Sequence, residues 1–214
     1  MEDKHREGLC YIGTDLAQTS DLCAVTRIFS LDRNRFAADF RCWIPEKSLE
    51  NVPDAFKANY ERAVNSEILK LTSGTVTDYD LIESYIRASC IDYDVERIGV
   101  DPHNATQLTN KLEDDGLPVM VVRQSITYMN APSKLTEWLI NKNWILHDGN
   151  PFITWQLENC YAYRDDANGN LKVRKGPDKN RKIDSIVAMI IAVSAADYGA
   201  DPESGFTIRS VNAD

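Results

Sequence analysis

The stretch 182–197, K-I-D-S-I-V-A-M-I-I-A-V-S-A-A-D, sets the tightest condition on any fold of this chain. Nearly every residue from 183 to 196 is apolar or small, so a helix there is hydrophobic on every side. Such a helix belongs in the middle of a domain, packed on both flanks. Its first turn nevertheless carries a carboxylate, Asp184, two residues after Lys182. An acid at the mouth of a buried helix is either a cap or part of a site.

Composition supplies the interior this helix needs. The chain has 214 residues, 43% hydrophobic and 27% charged, enough for one large domain with a core. The longest apolar run, around 187–192, is too short to span a bilayer. The charged opening from Glu2 to Glu7 carries no secretory signal, which predicts a chain that is not secreted. Five cysteines (Cys10, Cys23, Cys42, Cys90, Cys160) are widely spaced and form no C-x-x-C pair, which predicts buried reduced thiols in a cytosolic protein. A net charge of −9 disfavours coating nucleic acid through the overall field, but leaves room for one basic strip. Between 160 and 184, Arg164, Lys172, Arg174, Lys175, Lys179, Arg181 and Lys182 outnumber Asp165, Asp166, Asp178 and Asp184. That basic run leads directly into the apolar helix.

Residues 9–15 read as a buried strand ending in Asp15. Two β-branched and aromatic runs, 22–30 and 35–44, are joined by a hairpin loop at Asp32, Arg33 and Asn34, and Pro45 stops the second. Helical spacing follows over 53–65, then a loop over 71–76, then a helix over 81–91 capped by Asp78 or Asp80. A strand over 95–100 ends in Asp101 and Pro102, a helix over 105–115 is closed by Gly116, and 119–122 reads as another buried strand. Helices are expected over 132–143 and 152–163, although 161–164 and 171–174 also suit a small hairpin around Asn168 and Gly169. Trp43, Trp138, Trp144 and Trp155 are assigned to the core. A single domain over 1–214, with its core over about 9–198 and a flexible tail from Gly199, is the simplest organisation. This order implies an α/β fold: a mixed sheet, an antiparallel three-strand meander plus parallel strands, covered by helices on both faces.

Three acids stand out by position. Asp15 ends the first strand, Asp101 ends the strand over 95–100, and Asp184 opens the apolar helix. If those two strands are adjacent and parallel, Asp15 and Asp101 emerge side by side, and a helix laid across the sheet brings Asp184 to them. Three carboxylates in a small volume repel one another and need counter-ions. Oxygen ligands suit Mg2+ or Mn2+ rather than zinc. Two such ions ~3.5–4 Å apart would activate water and stabilise both oxygens of an in-line phosphodiester displacement. Each acid also has a plainer explanation: Asp15 accepting turn amides, Asp101 capping the helix after Pro102, Asp184 offsetting the helix dipole. Their combination at strand and helix mouths favours a site.

The residues then match a known pattern. G-T-D-L-A with Ser20, Asp21 and Leu22 resembles the first nuclease motif of the tailed-bacteriophage terminase large subunit, and V-D-P-H-N-A from Val100 resembles its second. The run H-D-G-N-P-F-I-T-W-Q-L-E-N from His147, the basic loop and K-I-D-S-I-V-A-M-I-I-A resemble its C-terminal part. The resemblance spans about 10–196 in the right order. It implies a ribonuclease H-like nuclease domain that cuts concatemeric double-stranded DNA during genome packaging in the host cytoplasm, with Asp15, Asp101 and Asp184 as metal-binding acids. The implied partners are DNA, the small terminase subunit, the portal protein and an ATPase domain. That ATPase is missing from this chain, because G-x-x-x-x-G-K-[ST] does not occur.

Secondary candidates surround these acids. Arg174, Lys175, Lys179 and Lys182 are the expected DNA contacts, Lys182 alternatively pairing with a site acid. Asp21 supports the site or caps a turn, and His103 assists a water or phosphate near Asp101 or lies on the surface. His147 and Asn159 match the family pattern, with structural hydrogen bonding as the expected role. Two rival functions stay open on the sequence: an actin-like nucleotide-binding domain, which needs a second glycine-rich loop, and a non-catalytic assembly module.

Overall fold

The computed structural model describes residues 8–17, 19–31, 35–165, 169–178 and 180–197, the side chains at 103 and 104 excepted. The expected flexible tail and the hairpin loop over 32–34 lie outside the described residues. Strands β1 (Cys10–Asp15), β2 (Cys23–Ser30) and β3 (Phe36–Pro45) form the expected antiparallel meander. Successive side chains of β2 go to opposite cores: Cys23, Val25 and Phe29 to one, Ala24 and Ile28 to the other. A central strand buried on both faces is expected to be apolar nearly throughout, and here Thr26 and Arg27 interrupt the run.

Parallel strands extend the meander on both sides. β4 (Leu69–Thr72) lies beside β3, β5 (Val95–Val100) beside β1, and β6 (Val119–Val121) beside β5. The strand order is β4-β3-β2-β1-β5-β6, and β7 (Ile145–Leu146) pairs with the start of β3. β4 and β7 go beyond the expected strands, and the loop expected over 71–76 begins only after Thr72. At four and two residues they are too short to show a period-two pattern. β6 is not buried as expected, since it closes the path at an edge and leaves Val121 49% exposed.

Helices cover both faces. α2 (Tyr79–Asp92) and α3 (Pro102–Asp114) pack on the core that takes Val25 and Phe29. Asp78 caps α2 by accepting from the Asp80 amide at 3.0 Å, and α3 kinks at Ala105, where its regular part was expected to begin. On the other face lie α1 (Asp54–Asn65), α4 (Ile126–Asn141), α5 (Pro151–Glu158) and α6 (Asp184–Asp197). α4 starts six residues before the expected position, with Pro132 inside it. Proline removes one helical hydrogen bond, and here it is buried with Met129 and Ser133 on the packed side. Of the two readings for 152–163, α5 takes the residues up to Glu158. The rest forms a two-stranded sheet of β8 (Cys160–Arg164) and β9 (Leu171–Lys175).

α6 is the centre of this packing. Its residues Ser185 through Val193 are all buried, and it crosses β1, β2 and β5. Ile186, Ile190, Ile191 and Val193 are at most 3% exposed, and each such side chain contributes about 1.5–3 kcal/mol. Two glycines let it settle this low. A Cβ on Gly13 of β1 would stand 2.0 Å from the Ala188 carbonyl oxygen, and one on Gly99 of β5 would stand 2.6 Å from Ile191 Cγ2. Trp43 is buried, while Trp138, Trp144 and Trp155 are partly buried against the core. All five cysteines are free thiols: Cys10, Cys23 and Cys42 are buried as expected, whereas Cys90 and Cys160 are only partly so. Among the described residues no helix is long and apolar enough to cross a membrane.

Candidate active site

The alternation that buries β1 also aims its acid. Gly13 faces α6, so Asp15, two residues on, leaves β1 on the same side. β5 runs parallel to β1 with Gly13 opposite Gly99, which puts Asp101 beside Asp15 at the same sheet edge. α6 enters from above that edge with Asp184 as its first residue. Its entry is fixed by the core: the Ser185 amide donates to Gln156 Oε1 at 2.9 Å, and Thr26 Oγ1 donates to the Ser185 carbonyl at 3.1 Å. Asn159 Nδ2 donates to the Lys182 carbonyl at 3.0 Å and its Oδ1 accepts from Arg181, which gives this fully buried amide a structural role.

The carboxylates sense one another. Burial, then Asp184, pushes the Asp15 carboxyl up to about 7, with Asp101 and Asp21 adding to the rise. Burial and Asp21 lift Asp184 to about 6, against the pull of Lys182 and Lys175. Burial leads both shifts, and neighbouring carboxylates add to them. Asp21 behaves differently. Burial raises it, but Lys182 outweighs that and holds it below the ordinary range. Lys182 Nζ donates to Asp21 Oδ1, whose other partner is the Leu22 amide at 2.8 Å. Lys182 thus pairs with Asp21, one of the acids that raise Asp15 and Asp184.

Asp15, Asp184 and Lys182 open onto a cleft of about 380 Å³, also lined by Gln124, Lys172, Arg174, Lys175 and Arg181; neither Asp101 nor Asp21 is among its lining residues. Arg174 is exposed and stacks over the Tyr163 ring at 3.7 Å, and Lys175 is exposed beside it. Lys179 and the His103 side chain lie outside the described residues. His147 is exposed and accepts from the Gly149 amide at 3.1 Å, in the turn before α5. Two further participants join them, Gln124 with no sequence signature of its own and Lys172 marked only as part of the basic run. Gln124 Nε2 donates to Asp15 Oδ1 at 2.8 Å, and Lys172 Nζ donates to the Gln124 carbonyl. Gln124 follows β6, the next parallel strand along from those that deliver Asp15 and Asp101, and loops after parallel strands are where open α/β sheets place sites. That is the signal by which it could be found.

Among the described residues no group of three or more His, Cys, Asp or Glu side chains is arranged to hold a metal ion as it stands. The donor set nevertheless fits a hard divalent cation in kind. It is all oxygen and partly buried, and burial with added carboxylate repulsion raises Asp15 and Asp184, a repulsion that a cation would relieve.

Comparison with known proteins gives a consistent answer. The family model for the terminase large subunit, endonuclease domain, matches residues 6–199. Protein YmfN of Escherichia coli (strain K12) is 28% identical over 216 residues, covering 94% of this chain and 48% of that protein. The crystal structure of the HK97 bacteriophage large terminase superposes with a TM-score of 0.75 at 25% identity, covering 90% of this chain and 42% of that one. The large terminase nuclease from thermophilic phage G20c with bound magnesium gives 0.56 at 15% identity, covering 87% and 80%. The last likeness speaks to the fold alone, and with the first it makes the mixed sheet ribonuclease H-like, as expected. The chain spans less than half the length of the curated relatives it matches.

Proposed function

The chain belongs to the family of terminase large-subunit endonuclease domains, and from that premise we propose that it is a metal-dependent DNA endonuclease of viral genome packaging. What carries this reading is one sheet edge that gathers Asp15, Asp101 and Asp184, where burial and neighbouring carboxylates raise Asp15 to about 7 and Asp184 to about 6. A protein gains nothing in stability from such an arrangement, which suits it to a cation brought from outside. Asp15, Asp101 and Asp184 would hold Mg2+ or Mn2+, two ions in all. Bound there, the ions supply a nucleophilic water at neutral pH and neutralise charge on the phosphate.

The remaining residues bind and orient. Arg174 and Lys175 on β9 give the cleft a basic wall, and with Lys179 and Lys182 they would hold the phosphates flanking the cut. Asp21 keeps the Lys182 ammonium beside Asp184, and His103 would act near Asp101. The substrate is concatemeric double-stranded DNA, and the phosphodiester is hydrolysed without sequence preference. The whole chain acts as one nuclease domain in the host cytoplasm, working with the small terminase subunit, the portal protein and a packaging ATPase.

Plasmid cleavage in Mg2+ or Mn2+ tests the reading. Asp15→Ala, Asp101→Ala and Asp184→Ala should each cut at least ~10³-fold more slowly, the scale of a lost metal-ion contribution of about 4 kcal/mol, with an unchanged circular dichroism spectrum. Full activity in the triple variant overturns it. A wild-type chain with no metal binding and no cleavage would favour the assembly-module alternative.

A further inference from the structure

Gln124 and Lys172 lie outside the acid set, yet Gln124 bonds to Asp15 and Lys172 bonds to the Gln124 carbonyl. Gln124 stands in the loop between β6 and α4 and must extend past the end of β5 to meet Asp15 on β1. Its amide nitrogen, 2.8 Å from Asp15 Oδ1, orients that carboxylate without neutralising it, leaving Oδ2 for a cation. A lysine in that position would compete with a metal. The lysine that is present donates instead to the Gln124 backbone carbonyl, from β9. The same strand is tied to α4 through the Leu171 amide, which donates to Asn130 Oδ1 at 2.8 Å. The loop carrying Gln124 is thus held by β9 at Lys172 and flanked by a helix that β9 also holds.

We propose that Gln124 and Lys172 form a positioning relay that sets Asp15 for cation binding and fastens the β8–β9 hairpin to the metal site. The inference rests on the reading of Asp15 as a metal ligand. Neither residue touches the reacting atoms. Their action is on the orientation of a ligand, the level at which partners of metal-binding side chains typically change affinity by 10–100-fold.

Mn2+ binding to the purified chain, followed by calorimetry and by the loss of free-ion paramagnetic resonance signal, tests this without reference to cleavage. Gln124→Met keeps the length of the side chain and removes the donor. It should bind Mn2+ about tenfold more weakly than wild type with the same melting temperature. Lys172→Met should show a smaller loss in the same direction, and Lys172→Arg should restore most of it. Wild-type Mn2+ affinity in Gln124→Met overturns the relay, as does a loss matched by an equal fall in melting temperature. If Asp15→Asn binds Mn2+ as well as wild type, Asp15 is not a ligand, and both that assignment and the relay fall.

Discussion

The two faces of the sheet treat buried charge in opposite ways. On the α2–α3 face, Arg27 is 7% exposed and pairs with Asp39 across the β2–β3 ladder. Its Nη1 donates to Ser89 Oγ at 3.1 Å, and its guanidinium lies 4.8 Å from the Tyr85 ring and 5.0 Å from the Tyr93 ring. Burial alone would lower its pKa, yet Tyr85 and Asp39 together hold it above the ordinary value. On the α6 face, burial pushes Asp15 and Asp184 toward neutrality, neighbouring carboxylates add to the rise, and Lys182 and Lys175 only partly offset it at Asp184. One face balances its buried charge within the fold, and the other leaves two buried carboxyls raised despite the nearby lysines. Strand alternation separates the two: Arg27 and Asp39 point to one core, Gly13 and Asp15 to the other.

The sharpest test of this contrast is a pair of isosteric changes. Asp184→Asn should cut cleavage by about 10³-fold while making the metal-free protein more stable at pH 8, because it removes repulsion. Asp39→Asn should instead cost about 3 kcal/mol in a urea titration, since it leaves Arg27 buried without its partner. Equal destabilisation by both would break the distinction between the faces.

A smaller effect separates the faces by pH. Asp15 and Asp184 have folded-state pKa values raised above their ordinary 3.8. Between roughly pH 4 and 7 the folded chain therefore binds more protons than the unfolded one. Stability from these groups is present at the acid end and is lost as pH rises through about 6 and 7. Metal-free protein should melt lower at pH 8 than at pH 5.5, and the double variant Asp15→Asn with Asp184→Asn should flatten that slope. A wild-type slope in the double variant would place the titration elsewhere.

The smallest effect concerns the rim. Charge reversal at Arg174 and Lys175 should weaken DNA binding and reduce the slope of log K against log salt by about 0.9 for each phosphate no longer neutralised. Filter binding across salt concentrations checks it, and an unchanged slope removes β9 from the interface.

Much of the frame was legible because it rests on local pattern: the apolar run of α6, the meander, and acids at the ends of β1 and β5. What escaped was set by distant partners. β4 and β7 exist because β3 offers an edge, not because their own few residues insist on it. Pro132 resembled a helix start, and only packing shows that α4 runs through it. The glycines at 13 and 99 were visible as letters, but their purpose needs α6 overhead. Gln124 is a polar residue of ordinary context until the chain folds and brings it to Asp15, and Lys172 stood out only as one cation of a basic run.

The close seating of α6 on Gly13 and Gly99 also fixes how fast parts of the site can open. Amides over 187–195, locked against backbone with no room to shift, should exchange with deuterium only when the whole domain unfolds. Among the described residues the β8–β9 ladder pairs with no other strand, so it should exchange through local opening. Asp184 should therefore stand at the mouth of a slowly opening helix, while the basic wall across the cleft should open much faster.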